Sequence, residues 1–270
     1  MKKIFWILLS AACFSAFSTP INITSTALGG KGDNQVCPAD QPGNQWDLEA
    51  VLLDKTKLSI VGSFNLKSGQ YDAGTKQTFL SGDIFIDLNG DATNATISGL
   101  ADKKYATFSN SLVKYDYAIS LNFSANQYTI YQLSSSSQLE SAYFGKTNSA
   151  GNPFKYVSGA TRTVGTYALN YQTGLPDNSS LGYTSWMPNA KNGLTGSSFG
   201  KVTHNEATVD LAPLGLKNGQ KITSHFTIGC GNDVLTGQGC IKLPEPGSLS
   251  LIITGFISLL GLAATRKRKA

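Results

Sequence analysis

Apolar and polar residues alternate with a period of two through the middle of this chain. The stretch "FLSGDIFIDL" at residues 79–88 is the clearest case, and that period belongs to strands, not helices. The same pattern predicts strands over residues 46–53, 58–66, 77–88, 105–108, 115–123, 127–133, 163–171, 206–211 and 221–229. Between them lie "LKSGQ", "DLNGDATNA", "NFSANQ", "LPDNSS" and "LKNGQ", rich in residues that accept positive φ or bond their own backbone in turns. Segments of this length and spacing predict an all-β body, a jelly-roll-like β-sandwich over residues 19–242. Residues 134–200 carry the weakest alternation and are expected to hold long loops around the strand at 163–171.

The two ends break the pattern. "MKKIFWILLSAACFSAFSTP" sets two lysines before an apolar segment and then small residues, the layout of a secretory signal peptide over residues 1–18. Its apolar segment is too short to span a bilayer comfortably. Cys13 has Ser10, not leucine, three places before it, which argues against a lipid-attachment site. The expected partners at this end are the secretion translocon and signal peptidase.

At the other end, residues 248–265 carry no charge, enough for about 27 Å of helix at about 1.5 Å per residue. Arg266, Lys267, Arg268 and Lys269 follow as a basic stop that stays cytoplasmic, leaving the body outside. A single C-terminal transmembrane helix is therefore expected in the inner membrane.

Charge is informative once it is located. The chain has 22 lysines and arginines against 17 acidic residues, but six of the basic ones sit at the two ends. The body is left with 16 against 17, so nothing supports nucleic-acid binding.

Export changes how the cysteines read. Cys37, Cys230 and Cys240 remain after the signal is removed, and an oxidising compartment favours one disulfide. Cys230 and Cys240 flank the glycine-rich "GNDVLTGQG", which could return on itself, so that pair is expected, with Cys37 as the alternative partner. No CxxC pair occurs, and His204 and His225 are not spaced as zinc ligands.

Candidate chemistry in the body is sparse. "DLNGDA" places Asp87, Asn89 and Asp91 at alternate positions, as at the start of a calcium loop. Ala92 replaces the turn glycine and Ser98 the closing glutamate, so a hairpin turn with solvated carboxylates is the expectation and calcium the alternative cofactor. "GSSFG" fits a nucleophile elbow at Ser198 with Asp210 and His225 following, yet strand-like sequence surrounds it where a strand and a helix are required. Asp83 and Asp87 share one face of a strand, and a solvated face is expected, not a glycosidase pair across a cleft. Trp46 is expected in the core, while Trp186 lies in a loop sequence. Asn22, Asn94, Asn122 and Asn178 open N-x-S/T sequons.

Pro244-Glu245-Pro246, then an apolar segment, then a basic end closely resembles the PEP-CTERM sorting signal of Gram-negative bacteria, with residues 243–270 as the sorting segment. Leu243 stands where valine is commoner before the motif. The resemblance implies an exosortase partner, a membrane-embedded cysteine-type protease or transpeptidase that cuts near the motif and passes the protein to the cell surface or extracellular matrix. It also implies a host that makes exopolysaccharide, the candidate ligand of the body. "SGDIFIDLNGD", "YDYAISL" and "HFTIGCGND" resemble exosortase-dependent surface proteins, a likeness that carries no activity with it.

Physically, both prolines fix φ and disfavour helix in the residue before each, so Leu243 and Glu245 should be extended for a protease to bind. Glu245 supplies a charge that a recognition pocket can read, and Gly247 frees the backbone before the helix. The expectation is a non-catalytic surface or matrix protein. The alternative is a secreted glycan- or ester-hydrolysing enzyme with a C-terminal membrane anchor.

Overall fold

The computed structural model describes residues 20–25, 45–93, 104–175 and 204–243. In chain order the strands are β1 (Ile21–Asn22), β2 (Thr24–Ser25), β3 (Leu48–Asp54), β4 (Lys57–Gly62), β5 (Gln70–Asp72), β6 (Gln77–Phe79), β7 (Ile84–Asp87), β8 (Thr107–Ser109) and β9 (Tyr117–Asn122). They continue as β10 (Gln127–Gln132), β11 (Gln138–Glu140), β12 (Lys155–Ser158), β13 (Arg162–Ala168), β14 (Asn170–Leu175), β15 (His204–Asp210), β16 (Lys221–Thr227) and β17 (Val234–Cys240). Among the described residues the fold is all-β, and its strand pairs are antiparallel.

A five-stranded sheet runs β1-β3-β4-β15-β14 and a seven-stranded sheet runs β13-β10-β9-β7-β16-β17-β2. Alternation decides which side chains meet between them. Leu48, Val51, Leu53, Leu58, Ile60 and Val209 from the first share one core with Ile84, Ile86, Ile119, Ile130, Phe226 and Leu235 from the second. Trp46 joins this core edge-on to Phe79, as its sequence context predicts.

The margins of the two sheets are continuous chain. β1 and β2 lie in different sheets, and buried Ile23 between them donates its N–H to Val51 at 2.9 Å while its carbonyl accepts from Gln238 at 2.8 Å. One residue thus bonds both sheets. At the opposite margin β13 passes into β14 through buried Leu169.

A third layer, β12-β11-β8, covers the outer face of the seven-stranded sheet. Phe108 and Leu139 from that layer pack with Phe85 and Ala118 beneath it. Hence every residue of β7 is buried, since both faces are covered. This corrects the expectation of a solvated face at Asp83 and Asp87, which are 4% and 2% exposed.

Two further expectations give way. Residues 134–200, expected to carry long loops around one strand at 163–171, also form β11 and β12, and that one strand is two, β13 and β14. "VLTGQGC" is strand β17, not a returning loop, so Cys230 lies in the turn that precedes this seven-residue strand and Cys240 ends it. At about 3.3 Å per residue the strand between them spans roughly 20 Å, far beyond disulfide reach, and the two are not bonded to each other. The alternative partner, Cys37, lies outside the described residues.

Candidate functional site

The seven-stranded sheet ends at the turn that follows β7. Asp87 Oδ1 accepts the N–H of Asn89 at 3.1 Å and of Gly90 at 2.9 Å, and Asn89 Oδ1 accepts the N–H of Asp91 at 2.9 Å. The alternate spacing that suggested calcium ligands therefore builds successive side-chain-to-backbone turns. Gly90, with φ of +82°, supplies the positive φ that such a turn requires. Among the described residues no group of three His, Cys, Asp or Glu side chains is placed to hold a metal ion.

Asp116 adds a third carboxylate to the rim, accepting the Leu88 N–H at 2.7 Å. Burial first, and then the charges of Asp87 and Asp91, hold its pKa above the usual carboxylate range.

Two grooves flank this turn. One, of about 320 Å³, includes Asn89, Asp91, Ser111, Lys114, Asp116 and Ser134 in its walls. The other, of about 470 Å³, includes Asp87, Gly90, Lys221, Thr223, Gln238 and Cys240. Buried Asn110 fixes the first groove: its Nδ2 donates to the carbonyls of Tyr115 and Ser134 at 2.9 and 3.1 Å, and its Oδ1 accepts the Tyr115 N–H at 3.0 Å. Donors, acceptors and one cation line each groove. Such walls suit a hydroxyl-rich ligand held by hydrogen bonds.

Burial raises the pKa of the Tyr115 hydroxyl in the wall of the first groove, and it shifts an acid and a base beneath the third layer. Burial pushes Asp83 up to about 6, although its carboxylate accepts from Ser120 Oγ at 2.7 Å and the Tyr156 N–H at 2.9 Å. Burial pushes His225 down to about 4, and its Nε2 donates to the Pro153 carbonyl at 3.0 Å. Shifted groups often mark catalysis, but these two clamp the third layer onto the sheet and line neither groove.

The other sequence-derived candidates are not brought together. Asp210 ends β15 in the five-stranded sheet, accepting from Thr56 Oγ1 and the Ala212 N–H, whereas His225 faces away from that sheet. Ser198, Trp186, Pro244, Glu245, Pro246, Gly247 and the basic stop lie outside the described residues. His204 is buried against Glu49, with 2.8 Å between Nδ1 and Oε2, away from both grooves. Sequence reading missed Asn110, Lys114, Asp116, Ser134, Lys221 and Gln238, which come from four separate segments and share no motif. Compared with protein-family models, curated proteins and solved structures, the chain has no match.

Proposed function

We propose that this chain is an exported surface or extracellular-matrix protein of a Gram-negative bacterium, sorted through a PEP-CTERM-type signal. The observation that carries this is the order of Pro244-Glu245-Pro246, an uncharged run over residues 248–265, and Arg266 to Lys269, in a chain that also opens on a signal-like segment. In this reading the apolar run holds the precursor in the inner membrane with the body outside, and an exosortase cuts near the motif. The body, read as a jelly-roll-like β-sandwich, works by binding and not by catalysis. Its candidate ligand is the cell's own exopolysaccharide, whose hydroxyls match the polar walls on either side of the Asp87–Asp91 turn.

Cell fractionation with an exosortase present tests the sorting. Glu245→Ala should leave uncut precursor in the membrane fraction, while the unaltered chain is released with both end segments missing by intact mass. Release of Glu245→Ala at the normal rate would sink the reading.

A further inference from the structure

The last described residues fasten the end of the body to a turn that precedes β16. Gln220 donates its N–H to the Lys217 carbonyl at 3.0 Å, and Gly219 sits at φ of +79°, as the third residue of a type II turn must. Three hydrogen bonds join this turn to the chain leaving β17. Gly219 N–H donates to the Ile241 carbonyl at 2.8 Å, and Ile241 N–H to the Gln220 carbonyl at 2.9 Å. Leu243 N–H then donates to Asn218 Oδ1 at 3.0 Å, so that a side chain takes the place of the next backbone acceptor. Ile241 is fully buried and Leu243 packs against the main core. The body therefore holds the chain as far as residue 243, and Pro244 is the next residue in sequence.

We propose that the Lys217–Gln220 turn is a clasp that keeps the sorting motif closed to its processing enzyme until Leu243 is lifted from Asn218. The inference rests on the reading of Pro244-Glu245-Pro246 as a cutting signal. An enzyme that binds its substrate as an added strand needs the main chain and side chains beside the motif. Here the N–H of Leu243 and its side chain are both engaged by the body. Slack cannot substitute for opening, because only Pro244, Glu245, Pro246 and Gly247 separate Leu243 from the apolar run. Four extended residues span at most about 14 Å. A membrane-embedded enzyme must work in that gap or wait for the clasp to open.

The test follows precursor half-life by pulse-chase of the full chain expressed with an exosortase. Asn218→Ala should shorten the half-life about five-fold, the factor one hydrogen bond is worth. Inserting Gly-Ser-Gly-Ser-Leu between Leu243 and Pro244 should shorten it as much, since this leaves the clasp and the body intact and keeps a leucine beside the motif. Glu245→Ala should block cutting in both backgrounds. An unchanged or longer half-life in the insertion variant, with Glu245→Ala still blocking, overturns the clasp and leaves the sorting reading standing. Acceleration by Asn218→Ala alone marks general loosening of the body and also overturns it. Normal processing of Glu245→Ala removes the sorting reading and the clasp with it.

Discussion

Asp83 and His225 sit under the same layer and respond to protons in opposite directions. Asp83 keeps its proton in the folded state up to about pH 6, against 3.8 for the ordinary group, so this residue alone makes stability fall as pH rises through that interval. His225 stays neutral in the folded state down to about pH 4, against 6.5, so it alone makes stability rise with pH. The two slopes nearly cancel between about pH 4 and 6. Asp83→Asn should uncover the histidine, leaving a protein about 2 kcal/mol less stable at the acid end of that window than at the other. His225→Asn should do the reverse by a similar amount. Urea unfolding at the two pH values reads both, and equal slopes in the two variants would show that the shifts do not come from burial under this layer. The serine hydroxyl and the backbone N–H that meet Asp83 come from Ser120 and Tyr156, 37 and 73 residues along the chain. Alternation places Asp83 on a face, and only those distant partners make that face an interior.

Strand β17 shows why a glycine-rich segment can be a strand. A Cβ on Gly237 would lie 2.9 Å from Val51 Cγ1 and 3.0 Å from Ile23 Cδ1, and a Cβ on Gly239 would lie 2.8 Å from Ile23 Cγ2. Both glycines face the core, and the missing side chains make room for Ile23 at the margin. Gly237→Val should cost about 1–3 kcal/mol by overpacking, read as a lowered denaturation midpoint. A neutral result would mean that the margin yields freely. This packing also explains where strand prediction succeeds and fails. β3, β9, β10 and β16 were legible because large apolar residues alternate along them. β17 was not, since its core face is filled from the opposite sheet, and β11 and β12 were not, being three or four residues among serines and lysines. The predicted strand over residues 163–171 is continuous in sequence, yet Leu169 turns it from one sheet into the other. Nothing local to "TYALNY" announces that turn.

At the scale of the molecule, the described chain is a body whose polar grooves lie beside one turn and whose last strand leads directly to Pro244-Glu245-Pro246. The turn itself was legible from "DLNGDA"; its surroundings were not, because Asn110 and Asp116 reach it from the β8–β9 connection and Ser134 from the β10–β11 connection. If these grooves hold exopolysaccharide, Asp91→Ala combined with Ser134→Ala should weaken co-sedimentation of the released protein with the host's polymer several-fold without lowering its melting temperature. Undiminished co-sedimentation would place binding on another surface.

The continuous margins and the clasp have a mechanical meaning. In the proposed reading the protein is held at its C-terminal end, by an anchor or by whatever the cut end is joined to, and is pulled along the axis of β17. The clasp yields first. Beyond it, the ladder from Lys221–Cys240 to Thr227–Val234 is loaded in shear, so its hydrogen bonds share the force instead of opening one by one. On the other side β2 reinforces β17, and through Ile23 passes the load into the five-stranded sheet. The end that leads to the membrane in the proposed reading is thus built to bear tension.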